Sequence, residues 1–142
     1  MRPFLILQLR PETKASDNEF HVILTKGGLS ISDVRRIRLD RDPLDANLDL
    51  ADFAGVIVGG GPGCISDSVA NKTVVEKRIE ASILGLMPQI TALDFPFLGC
   101  CYGIGILAHH LGAKVSKERY SEGVGAVECR VTDDGRRDTL LT

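Results

Sequence analysis

Short apolar runs and longer amphipathic stretches alternate along this chain, and the alternation sets the expected architecture. Phe4 to Leu9 is apolar enough for a first strand. Ser16 to Lys26 carries Phe20, Ile23 and Leu24 and predicts a helix, with Gly27-Gly28 placed to stop it. Val34 to Leu39 predicts a second strand. Pro43 to Asp52 follows as a polar connection that Leu44, Leu48 and Leu50 tuck down. Phe53 to Val58 is a continuous apolar run, the pattern of a central parallel strand buried on both faces. It ends in Gly59-Gly60-Gly61-Pro62-Gly63.

Thr73 and Glu76 form a capping box that predicts the next helix start. Val75, Ile79, Ile83 and Leu86 mark the buried side of that helix; Lys72, Glu76, Lys77 and Glu80 read as its solvent side. Met87 to Leu93 reads as a separate short helical piece. Phe95 to Leu98 predicts a strand, and Ile104, Ile106, Leu107, Ala108 and Leu111 suit the buried face of a helix that Gly112 ends. Lys114-Val115 and Gly125 to Val131 read as antiparallel strand material, and Asp133-Asp134-Gly135 as a turn. Neither an internal repeat nor a low-complexity linker interrupts the pattern. The expectation is an α/β three-layer sandwich around a mostly parallel central sheet. Ligands of such sheets sit at the carboxyl ends of strands, where both glycine-rich turns, 59–63 and 99–103, would lie side by side.

The second turn, Gly99-Cys100-Cys101-Tyr102-Gly103, has the form of a nucleophile elbow. Sterics single out Cys101, because the positions two before and two after it are Gly99 and Gly103. The same frame around Cys100 would put Leu98 and Tyr102 at the crowded positions, so Cys100 is expected to face the core. A thiol at a helix N-terminus meets the positive end of the macrodipole, which favours thiolate. From the turn alone two readings stand: a nucleophile, or a pair of inert core cysteines. A cysteine nucleophile needs donors for the oxyanion, and the Tyr102 N–H is one, with Gly60 or Gly61 as the source of the other. The bland alternative for 59–63 is a tight turn without a ligand. Gly103-Ile104-Gly105-Ile106-Leu107-Ala108 has the spacing of a dinucleotide fingerprint, but no acidic residue ends a following strand. No Gly-Lys-Ser/Thr follows the triple glycine, so it is no phosphate loop.

Composition narrows the classes. The 142 residues fit one domain, and 17 basic against 19 acidic residues leave a net charge of −2, which disfavours a nucleic-acid partner. Arg35, Arg36 and Arg38 are flanked by Asp33, Asp40 and Asp42, as on a solvated strand edge. Met1 to Leu9 is too short for a signal peptide or a membrane span, so a cytoplasmic protein is expected. Cys64, Cys100, Cys101 and Cys129 lack zinc-site spacing and are too few for a disulfide scaffold. Free thiols are expected, with no metal and no cofactor.

Three segments resemble the class I glutamine amidotransferase family, which includes the glutaminase half of GMP synthase. "DFAGVIVGGGPGCISD" is similar to the family's strand and oxyanion loop, "FPFLGCCYGIGILAHHLGAKV" to its elbow and helix, and "SEGVGAVECRVTDDGRRDTLL" to the segment that follows. The resemblance implies a flavodoxin-like domain and hydrolysis of the glutamine side-chain amide. Cys101 would form a γ-glutamyl thioester and release ammonia to a synthetase or transferase partner. Gly60, Gly61, Gly63 and Tyr102 would shape the oxyanion and substrate contacts.

The chain departs from the family at two places. Gly105 stands where the family has a substrate-contacting glutamine, and no His-x-Glu pair occurs. His109 and His110 lie eight and nine positions beyond Cys101, about 12–14 Å along a helix, out of reach of the thiol. They and His21 are expected to be packing or surface residues. The chain is therefore expected to be the N-terminal portion, 1–142, of one amidotransferase domain, incomplete at its C-terminus and crippled alone. A cysteine hydrolase of the related DJ-1/PfpI fold is an alternative, although that group favours histidine where this chain has Tyr102. A non-catalytic amidotransferase-like binding protein is the other.

Overall fold

The computed structural model describes residues 2–118, 125 and 128–139. Four parallel strands form one sheet in the order β2-β1-β3-β4, with β1 Phe4–Gln8, β2 Val34–Arg38, β3 Gly55–Val58 and β4 Phe97–Gly99. Helix α1 (Thr13–Gly27) joins β1 to β2, and α2 (Val74–Ala92) joins β3 to β4. Helix α3 (Tyr102–His110) follows β4. This is the α/β arrangement that the alternating pattern predicts, and β1 and β3 occupy the inner positions as apolar runs should. Crossovers of one hand lead away from the centre in opposite directions, so α1 and α2 cover opposite faces.

The main core lies between the sheet and the α2–α3 pair. Leu5, Leu7, Leu9, Val56 and Val58 point into it and meet Ile79, Ile83, Met87, Ile90 and Ile106. Leu50 from the long connection closes one end and is fully buried, with Leu44 and Leu48 packed beside it. The Thr73–Glu76 capping box starts α2 as expected.

Helix α1 begins at Thr13, earlier than Ser16, because Ser16 belongs inside it: fully buried, its hydroxyl donates to Gln8 Oε1 at 2.9 Å. Gly28 ends the helix at φ +62°, the left-handed cap that glycine takes without strain.

Several other expectations need correction. Helix α2 is continuous through Pro88 to Ala92, with no separate piece at 87–93, because Ile83, Met87 and Ile90 bury one unbroken stripe. Val75 lies outside that stripe and is exposed. On α3, Ile104 and Leu111 are exposed and only Tyr102, Gly103 and Ile106 are buried, since β4 is the edge strand among the described residues. On the face opposite α2, Phe4, Ile57, Pro96 and Leu98 line an open apolar hollow, and Leu98 is half exposed. Arg38 is not a solvated edge residue: it is buried, pairs with Asp40 at 3.0 Å and donates to the Pro11 carbonyl at 3.1 Å. Lys114-Val115, Gly125 and 128–131 form no strand; the rest of the predicted antiparallel segment lies outside the described residues. No described helix is long and apolar enough to cross a membrane.

Candidate active site

The two glycine-rich turns meet at the carboxyl ends of β3 and β4. Register forces this, since Val58 pairs with Gly99 and the Cys100 N–H still donates to the Val58 carbonyl at 2.8 Å. The chain then reverses into α3 with Cys101 as N-cap at φ +53° and ψ −101°. A non-glycine residue at positive φ stores strain, and sites of chemistry are where such strain collects. The flanking glycines are sterically required. A β-carbon on Gly99 would lie 2.6 Å from the Gly103 carbonyl carbon, and one on Gly103 would lie 2.7 Å from the Val58 oxygen.

Cys101 is exposed and so is Cys100. The expectation that Cys100 faces the core is therefore wrong. Cys100 continues the alternation of β4 onto the side of half-exposed Leu98, where the face opposite α2 lies open at the edge strand. Its thiol is pushed above the ordinary cysteine range, first by desolvation and then by the charge of Glu19 and by Cys101. The glycine loop sits against the elbow at two points. A β-carbon on Gly60 would fall 3.3 Å from Cys101 Cβ, and one on Gly61 3.1 Å from Tyr102 Cδ1. Gly63 lies beneath the Glu76 carboxylate, 3.2 Å from where its β-carbon would be.

Charged residues hold this loop. Gly60 donates its N–H to Glu19 Oε1 at 2.9 Å, and Glu19 also accepts Gln8 Nε2 at 2.9 Å and Arg10 Nε at 3.3 Å. The Gly60 N–H is thus engaged. Of the two glycines considered as donors, Gly61 is the one left for a ligand. Tyr102, the first residue of α3, has an N–H with no intrahelical acceptor.

Lys72 and Glu80, expected in solvent, instead form a 2.6 Å ion pair in which Lys72 is buried and Glu80 half-buried, with side chains 5% and 16% exposed. The Tyr102 hydroxyl donates to the same Glu80 oxygen at 2.6 Å. Burial and this bond push the Tyr102 hydroxyl pKa far above its ordinary value. Sequence patterning missed Arg10, Glu19, Lys72 and Glu80. The one available signal was Tyr102 itself, because a buried tyrosine needs a partner for its hydroxyl.

The remaining candidates lie apart. Gly105 is on α3, facing Ile65. His21 and His109 are exposed, and His110 Nε2 meets Thr91 Oγ1 at 3.1 Å at the far end of α3. Among the described residues no group of three or more His, Cys, Asp or Glu could hold a metal ion.

Comparison with known proteins bears on the family and the fold. The family model described as glutamine amidotransferase class-I matches residues 16–140. GMP synthase [glutamine-hydrolyzing] of Geobacillus kaustophilus is 37% identical over 68 residues, 48% of this chain and 11% of the relative. That of Petrotoga mobilis is 34% identical over 89 residues, 63% of this chain and 15% of the relative. The chain thus spans only a small part of these relatives' length. A crystal structure of a glutamine amido transferase from Methylobacillus flagellatus matches with a TM-score of 0.55 at 25% identity, covering 79% of this chain and 39% of that one. A model matching most of the chain, and a shared parallel sheet, make it a member of the class I glutamine amidotransferase family.

Proposed function

We propose that this chain carries the nucleophile half of a glutaminase site. Cys101 attacks the side-chain amide carbon of glutamine, and the tetrahedral oxygen is received by the N–H groups of Gly61 and Tyr102. Collapse expels ammonia and leaves a γ-glutamyl thioester, which water cleaves to glutamate and free thiol. The ammonia passes to a synthetase or transferase acceptor. The observation that carries this reading is the strained backbone of Cys101, φ +53°, held between Gly99 and Gly103 and directly against Gly60. The chain reads as the N-terminal portion of the amidotransferase domain. The thiol proton passes to the leaving nitrogen as ammonia departs.

The test is capture by a glutamine-like chloroketone, read by peptide mass spectrometry. Modification confined to Cys101, competed by glutamine and lost in Cys101→Ala, supports the reading. Equal labelling of Cys100, or no competition by glutamine, defeats it. Gly105 favours a second reading, a binding protein without turnover, because it offers no side chain to the substrate. In that case glutamine leaves Cys101 unprotected.

A further inference from the structure

We propose that Glu80 is a positioning residue that locks the two turns of the site together through Tyr102 and Lys72. A single oxygen, Glu80 Oε2, accepts the Tyr102 hydroxyl at 2.6 Å and the Lys72 ammonium at 2.6 Å. Lys72 Nζ also donates to the Ile65 carbonyl at 3.2 Å. Ile65 lies just beyond the glycine loop, and Tyr102 directly follows Cys101. An unbroken chain of three hydrogen bonds therefore runs from one turn to the other.

Burial distinguishes this arrangement from an ordinary surface ion pair. Removing an ammonium and a carboxylate from water is costly, and an apolar pair of the same volume would often serve stability as well. Stability alone therefore does not account for the pair, and the geometry it imposes is the role we assign it. Here the Tyr102 ring lies under the loop, 3.1 Å and 3.7 Å from where β-carbons of Gly61 and Gly63 would stand. Anchoring the hydroxyl fixes how far the ring projects, and the ring supports the loop. Holding Ile65 fixes the loop's other end. One carboxylate would then set how the Gly61 and Tyr102 backbones stand to each other. That meaning of the lock rests on the glutaminase reading; the lock itself does not.

Three variants of the full chain test it. Tyr102→Phe removes only the hydroxyl, Lys72→Met removes the loop tether, and Glu80→Gln keeps an acceptor for Tyr102 while releasing Lys72. In each, capture of Cys101 by the chloroketone is expected to slow about tenfold or more, as for a misplaced reacting group. Alkylation by iodoacetamide, which needs no oxyanion donors, stays unchanged. Amide hydrogen exchange over 60–65 quickens in all three. The Tyr102→Phe, Lys72→Met double variant is no worse than the worse single, because both break one chain. Unaltered loop exchange in the single variants, or additive losses in the double, overturns the proposal. If the parent chain resists the chloroketone altogether, the glutaminase reading fails, and loop exchange alone still decides the role of Glu80.

Discussion

Gly60 gives its backbone N–H to Glu19 Oε1 at 2.9 Å, which ties the loop after β3 to the first helix. Gln8 and Arg10 donate to the same carboxylate, whose side chain is only 17% exposed. Glu19→Ala would strand the buried Gly60 N–H, while Gln8 Nε2 keeps its bond to the Ser16 carbonyl at 2.7 Å, so the expected cost is about 1–3 kcal/mol. The urea midpoint is expected to fall with little change in slope. Glu19→Gln retains an acceptor and should fall by less.

Two glycines should respond to the same substitution with opposite signs. In Gly99→Ala the new methyl would sit 2.6 Å from backbone atoms that cannot yield, so a loss of about 3 kcal/mol or more is expected. Gly85 is exposed inside α2 with nothing within 4 Å of a β-carbon. Gly85→Ala should therefore gain about 0.5–1 kcal/mol through helix propensity. Thermal melts of the pair check both.

Gly105→Gln would install the glutamine that the family resemblance implies at this position. Its β-carbon meets only Ile65 Cγ2, at 3.3 Å, so Ile65 must give by a few tenths of an ångström. Stability should stay within about 1 kcal/mol of the parent, since glutamine suits a helix better than glycine. Glutamine should then protect Cys101 from alkylation at lower concentration than in the parent. Unchanged protection would count against glutamine lying over this turn of α3.

Tyr102 makes stability depend on alkaline pH. Its folded pKa is raised, by desolvation first and by the Glu80 bond second, whereas an unfolded tyrosine ionises near 10. Above that pH the unfolded chain releases a proton that the folded chain retains. The contribution is therefore complete below about pH 10 and declines as pH rises beyond it. Urea titrations between pH 8 and roughly 11 should show the parent losing stability more steeply than Tyr102→Phe.

The sheet and the elbow were legible because their constraints are local. Phe53–Val58 is apolar without a break, and Gly99 and Gly103 bracket Cys101 within five residues. Glu80 and Lys72 were not, because helical periodicity assigns a residue to a face without knowing what the next element places opposite it. Tyr102 arrives 22 positions after Glu80 and turns a solvent position into a half-buried one. Glu19 reaches Gly60 across 41 positions for the same reason. Cys100 was misjudged because steric logic identified the crowded residue but not which side of β4 lay uncovered.

Strand β4 is only three residues long, and β3 is its one partner among the described residues. The helix bearing Cys101 is carried by this strand, while Glu19, Gly60 and Lys72 belong to the part organised around β1, β3 and α2. Segments with few ladder bonds open by local fluctuation at far lower cost than the whole domain. Detachment of β4 would part the nucleophile from its loop while the central strands remain paired. Chloroketone capture at Cys101 would then report the integrity of one short strand, and would be lost before circular dichroism registered any loss of fold.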